Sequence, residues 1–132
     1  MANEVTQVEG PYEAHDFTVA DGAGIVQNTI CKLTDPRTAA ASSGADLFAG
    51  IAATEKVASN GNVNLGLWTT GTFVMTAAPG AAITEGAMVV LSGANLIRTA
   101  VAGELLTGAV VGKALEAIAS STTGEVKIGV SS

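Results

Sequence analysis

The sequence predicts a mainly β fold: a small sandwich or barrel with an internal pseudo-twofold repeat, one short helix and an extended N-terminal arm. The first observation behind this is a pattern that occurs twice. Gly61-Asn62-Val63-Asn64-Leu65-Gly66-Leu67 and Gly124-Glu125-Val126-Lys127-Ile128-Gly129-Val130 both read Gly, polar, apolar, polar, apolar, Gly, apolar. Such alternation puts the apolar side chains on one face of a strand. The second is that an apolar segment with a central glycine precedes each copy, at Phe48–Ala53 and at Val110–Leu115. Gly50 and Gly112 are 62 residues apart, and Gly61 and Gly124 are 63 apart. The third is a succession of short apolar runs and Gly-rich turns from Ile25 onward, the spacing of a sandwich or barrel. A solenoid needs at least about three repeats. Two copies of one strand set are therefore expected to build a single closed or sandwiched body.

Residues 1–20 differ from the rest and are expected to form the arm, with residues 21–132 as one β-domain. The segment holds Glu4, Glu9, Glu13 and Asp16, the sole histidine and the sole tyrosine, and Gly10-Pro11 divides it. Val5 and Val8, then Phe17 and Val19, suggest two short extended pieces. A frayed terminus is the competing reading. Thr29–Leu33 reads as a strand. Asp35-Pro36-Arg37-Thr38-Ala39-Ala40-Ala41 offers an N-cap residue, proline at the first helical position and an alanine run, the grammar of a short helix. Leu47–Ala53 resumes the sheet, and Asn60-Gly61 marks a turn. Val63, Leu65 and Leu67 then share a face. Thr72–Thr76 is a strand, and Ala87–Leu91 is apolar on both sides and so buried. Leu96–Thr99 follows a Ser92-Gly93-Ala94-Asn95 turn, and a helical turn fits the loop between Ala102 and Gly108. Val110–Ile118 and Glu125–Val130 complete the sheet. In order, Thr29–Leu33 answers to Ala87–Leu91.

The composition narrows the function. Charged residues make up 14%, against about 25% in ordinary soluble domains. Hydrophobic residues reach 48% with only 4% aromatic, because 24 alanines and 14 valines supply them. A monomer so poor in charge exposes much weakly apolar surface, which points to an oligomer or a component of an assembly. An alanine-rich bias of the sequence is the plainer alternative. Net charge is −6 with dispersed basic residues, so no basic stripe is offered to nucleic acid. No apolar run is long enough for a membrane helix, and the start lacks a signal-peptide pattern. A single cysteine, Cys31, suits a reducing cytoplasm.

The catalytic inventory is thin. Cys31 and His15 are the only Cys/His pair, and Cys31 sits among apolar neighbours where a small buried thiol is the natural reading. Zinc ligands are too few, Asp21-Gly22-Ala23-Gly24 reads as a turn rather than a calcium loop, and no phosphate-binding glycine loop precedes a helix. No cofactor is expected. Glu55, Glu85 and Glu104 are expected in water. Lys56, in Ala53-Thr54-Glu55-Lys56-Val57, resembles faintly the attachment lysine of lipoyl and biotinyl carrier domains. A solvated lysine at a strand end competes with that reading. Trp68 is expected to plug the core or an interface between subunits.

Four co-linear segments carry a further resemblance. They are an early apolar strand, Gly66–Met75 (Gly-Leu-Trp-Thr-Thr-Gly-Thr-Phe-Val-Met), Ile83–Leu91, and Val111–Ala117 followed by Gly124–Ile128. Over about residues 24–130 the chain resembles the small capsid cement, or head decoration, proteins of tailed bacteriophages. Where that family often has Asp after the glycine, this chain has Ala87. The resemblance implies a β-rich, non-enzymatic protein that binds the outside of an assembled shell, with the major capsid protein as partner. It also implies a homotrimer seated where capsomers meet. In that setting the arm would make part of the capsid contact, through Val5, Val8, Tyr12 and Phe17, with Glu4, Glu9, Glu13 and Asp16 meeting basic groups. Two other classes compete: a carrier domain using Lys56, and a sugar-binding surface module using Trp68 and Tyr12.

Overall fold

The computed structural model describes residues 3–129, and for Leu106 the backbone alone. Its elements are β1 (Thr6–Glu9), β2 (Ala14–Val19), β3 (Ile30–Asp35), β4 (Thr38–Ala41), β5 (Phe48–Ala52), β6 (Asn64–Trp68), β7 (Gly71–Ala77), β8 (Met88–Leu91), β9 (Leu96–Thr99), a 3-10 turn at Ala102–Leu106, β10 (Val110–Ala114) and β11 (Thr123–Ile128). The fold is mainly β, as the alternation and turn spacing predict. The two units do not merge into a single sandwich, however. Strands β2-β4-β3-β5-β6 close one five-stranded barrel, and β7-β9-β8-β10-β11 close another, with β1 added to β7. Five short strands suffice to enclose a small core, and alanine and valine supply side chains small enough to fill it.

The two barrels pair their strands in the same order and sense. In each, one pair is parallel, β2 with β4 and β7 with β9, and the rest are antiparallel. Cys31 faces Gly50 across the ladder as Val89 faces Gly112, and a bulge follows in both places. The isolated bridge Ile25–Lys56 likewise matches Ile83–Ile118. Leu33 thus answers to Leu91, 58 residues on, and Gly50 to Gly112, 62 on. Leu67 answers to Val126, 59 on. The Gly50–Gly112 match in the sequence is therefore the structural one. The match of Gly61 to Gly124 slips by four residues, because the ladders set Leu65 against Gly124. Val130, the last residue of that motif, lies outside the described residues.

Gly50 and Gly112 are small for the same reason. A Cβ on Gly50 would come within 2.8 Å of the Leu67 Cβ and the Trp68 carbonyl, and one on Gly112 would strike the Lys127 carbonyl. Both glycines let neighbouring backbones close the barrel at the bulge.

Two expected elements are corrected. The expected helix at Asp35–Ala41 is the β3–β4 turn and strand β4. Pro36 fixes the turn, Arg37 adopts a left-handed φ of 48°, and Thr38–Ala41 pairs with both β3 and β2. A short alanine run cannot nucleate a helix on its own, and here two ladders compete for its backbone groups. Ala39 points into the barrel, where a larger side chain would crowd Leu33 opposite. The helical turn after Ala102, by contrast, is present. The N-terminal arm is not a free extension either. β2 is a stave of the first barrel and β1 lies on the second.

The first barrel encloses Val19, Ile25, Cys31, Ala39, Ala49, Ala52, Leu65 and Leu67. The second core is larger, and Ile30 and Ile51, from the first barrel's strands, belong to it. One face of the first barrel is thus packed against the second. Asn95 fastens this junction. Its Oδ1 accepts from the Ile30 N–H at 2.7 Å and its own N–H donates to Ser42 Oγ at 3.0 Å, with a φ of 59°. The Phe48 N–H adds a bond to the Gly108 carbonyl at 3.0 Å.

Candidate functional site

The four residues expected to touch a shell do not form one patch. Val5 is 2% exposed and part of the second core, its N–H bonded to the Asn28 carbonyl at 3.0 Å. Tyr12 is half-buried. Its ring stacks obliquely on Trp68 and Phe73 at centroid distances of 5.5 and 5.4 Å, and Trp68 and Phe73 lie 5.8 Å apart. Gly71, at φ 124°, leaves room for this ring: a Cβ there would collide with Tyr12. Phe17 is half-buried on β2 beneath the Arg37 guanidinium, 5.3 Å from the ring centroid. That guanidinium also donates to the Asp16 carbonyl at 2.6 Å. Val8 alone stands well exposed, at 45%, on the outer strand β1. Glu9, Glu13 and Asp16 are exposed near it in sequence.

Val8 has apolar company elsewhere on the surface: Val26, Leu47, Val57, Val63, Val101, Leu105 and Leu115 are all exposed. A cleft of about 620 Å³ opens at the cis Gly10-Pro11 bend. Its walls include Glu9, Glu13, Leu115 and Lys127.

The Lys56 side chain settles two expectations at once. It is fully buried, and its ammonium donates to the Asp21 carbonyl (3.0 Å), Asp21 Oδ1 (3.1 Å), the Val57 carbonyl (2.7 Å) and Asn60 Oδ1 (2.9 Å). It is neither a solvated strand-end lysine nor the exposed lysine that a carrier domain modifies. The Lys56 hydrogen bond, helped by the Gly61 N–H, holds the Asp21 carboxyl below the usual carboxylate range. The ammonium draws together the turn at Asp21 and the Val57–Asn60 loop, so the Asp21-Gly22-Ala23-Gly24 segment is a turn with a partner.

Two further candidates, Cys31 and Glu104, are also held by the fold. Cys31 is buried within the first barrel, and desolvation pushes its thiol up to about 12. His15 is exposed on β2, so the two form no nucleophile–base pair. Glu55 and Glu85 are exposed as expected, but Glu104 is not a free carboxylate. It forms a two-pronged pair with Arg98 at 2.9 and 2.6 Å and caps the 3-10 turn through the Val101 N–H. The Arg98 hydrogen bond lowers the Glu104 carboxyl and raises the guanidinium. Among the described residues, no group of three or more His, Cys, Asp or Glu side chains is placed to hold a metal.

A family model for phage cement proteins matches residues 10–130. The chain belongs to the phage cement protein family. The match takes in both barrels, from the Gly10-Pro11 bend to the end of β11, and leaves β1 outside it. No curated protein matches the chain significantly. Cement-family membership brings a structural role and a place on the phage capsid. The residues that sequence reasoning overlooked are those that join the barrels. Asn95 sat in a turn signal that hid its buried bonds, and Phe73 read as one more strand residue. Tyr12 and Trp68, named together for the sugar-binding alternative, are neighbours whose rings pack on each other and on Phe73.

Proposed function

We propose that this protein is a head-decoration protein that binds the outer surface of the assembled phage shell and bridges neighbouring capsid subunits. The family match across both barrels is the observation that carries the reading. It acts as a structural protein without catalytic activity, as a homotrimer on the shell, with the major capsid protein as partner, and is made in the host cytoplasm. The exposed apolar side chains on a chain with 14% charged residues suit a protein that works inside an assembly. The protein binds the assembled lattice more tightly than it binds free subunits. The lattice is thereby stabilised by mass action, about 2.7 kcal/mol per site when the free protein is at one hundred times its Kd.

Of the expected contact residues, Val8 is the one whose exposure suits a docking role in the folded protein. Val5, Tyr12 and Phe17 support the fold that presents it. The test is co-sedimentation of the purified protein with empty expanded shells. Saturable binding that raises the shell's melting temperature is the expected result; protein left in the supernatant at every concentration overturns the reading.

A further inference from the structure

The ladder equivalence of the barrels exposes a difference in chemistry on one face. In the first barrel, Ile30, Ile51, Trp68 and Ala14 stand in a row across β3, β5, β6 and β2. The first three pack against the second barrel's core. The equivalent row in the second barrel is Met88, Lys113, Lys127 and Thr72, across β8, β10, β11 and β7. Two apolar positions of a buried face have become lysines, and both are exposed.

Lys113 and Lys127 are direct cross-strand partners, so their side chains leave the same face within a few ångströms of one another, an arrangement that is unfavourable for like charges. No ion pair among the described residues relieves it, since the two that occur are Lys56–Asp21 and Arg98–Glu104. Glu125 points to the same side two residues from Lys127, and Glu9 and Glu13 line the cleft beside it, yet none of these, nor Glu116, comes within ion-pair distance of a lysine. Glu116 instead accepts from the Glu125 N–H at 2.9 Å. The chain has four lysines and a net charge of −6. Lys56 is caged, and Lys32 donates to Ser43 Oγ at 2.9 Å. Among the described residues, the two lysines without a hydrogen-bonded or ion-pair partner are the two that face each other. Exposed Leu115 continues the strand beside them.

We infer that the outward face of β8, β10 and β11, centred on Lys113 and Lys127, docks a carboxylate-bearing protein surface on the shell. Charge complementarity selects the occupant: an acidic strip supplies the missing counter-charges, and Met88 and Leu115 give it apolar flanks. In the first barrel the same face is closed by the protein's own second barrel; in the second it is closed by the partner. This inference rests on the cement reading.

The experiment compares the intact protein with a Lys113→Glu/Lys127→Glu variant in binding to expanded shells across a range of salt concentrations. Lys113→Arg/Lys127→Arg serves as the conservative control and Lys32→Glu as the control on another face. Circular dichroism verifies that each variant folds. Reversing two rim charges is expected to weaken binding about 30-fold and to flatten its salt dependence. The arginine variant keeps its affinity. Unchanged affinity of the charge-reversed variant overturns the inference, and the lysines then only solubilise the face. If the intact protein fails to bind shells, the cement reading fails, and an octaglutamate peptide then judges the face by NMR. Shifts confined to residues around 113 and 127 uphold an acidic-protein site, and no shifts overturn it. A single-stranded oligonucleotide of equal charge that binds more tightly than octaglutamate also overturns it, because the face would then read polyanions of any kind.

Discussion

Replacing Lys56 with methionine isolates the role of the caged ammonium. Methionine keeps most of the buried stem and removes the charge. Asp21 Oδ1 retains the Gly61 N–H at 2.8 Å, and Asn60 Oδ1 retains the Asn62 N–H at 3.0 Å. The Asp21 carbonyl keeps the Ser59 N–H at 2.6 Å, so the Val57 carbonyl is the acceptor that loses its partner. An orphaned buried acceptor costs about 1–3 kcal/mol. Removing one member of a fully buried ion pair costs about 3–5 kcal/mol, but the Asp21 side chain is 39% exposed and water can replace part of the loss. The expected destabilisation is about 3 kcal/mol, which for a chain of this size lowers the Tm by roughly 10 °C. Urea titration followed by circular dichroism measures it, with the midpoint falling and the slope unchanged. A loss below about 1 kcal/mol would show that water solvates the two turns as well as the ammonium does.

Three further outcomes are expected. Asn95→Ala orphans the buried Ile30 N–H and places alanine at positive φ, and is expected to cost about 2–4 kcal/mol in urea unfolding; a cost under about 1 kcal/mol would mean that the barrels dock without this clasp. The Cys31 thiol, held at about 12 and buried, is expected to resist a disulfide reagent at pH 8 and to react at once in denaturant; fast labelling of the native protein contradicts the placement. The Asp21 carboxyl is held below its ordinary range, so its contribution to stability is present above about pH 4 and is lost as pH falls through the lowered value. Asp21→Asn is therefore expected to give a shallower acid limb in stability against pH, and an identical limb refutes the Lys56–Asp21 coupling.

Most strands were legible because alternation and Gly-rich turns act locally. Thr72–Thr76, Ala87–Leu91 and Leu96–Thr99 each lie on a strand at nearly the expected bounds. The correspondence of Gly50 with Gly112 was legible as well, since the two occupy one ladder position for one steric reason. The register of the last strand was not, because the stretch from Gly61 to Leu67 resembles that from Gly124 to Val130 by composition while the ladders align them four residues apart. Ala39–Ala41 misled for a physical reason: alanine has the highest helix propensity, and pairing with two neighbours overrides it. The acidic, aromatic N-terminal segment looked separate by composition, yet Tyr12 is held by Trp68 and Phe73 from distant positions in the chain. The buried Lys56 was likewise invisible, because its four acceptors come together only in the folded barrel.

The central claim is that this cement-family chain decorates the outside of an assembled shell and ties its subunits together. Cryo-electron microscopy of empty expanded shells incubated with the protein tests it most directly. The account predicts extra density on the outer surface, three copies in mutual contact where capsomers meet, each touching at least two capsid subunits. Shells without added density, or isolated copies that each touch a single subunit, would contradict it.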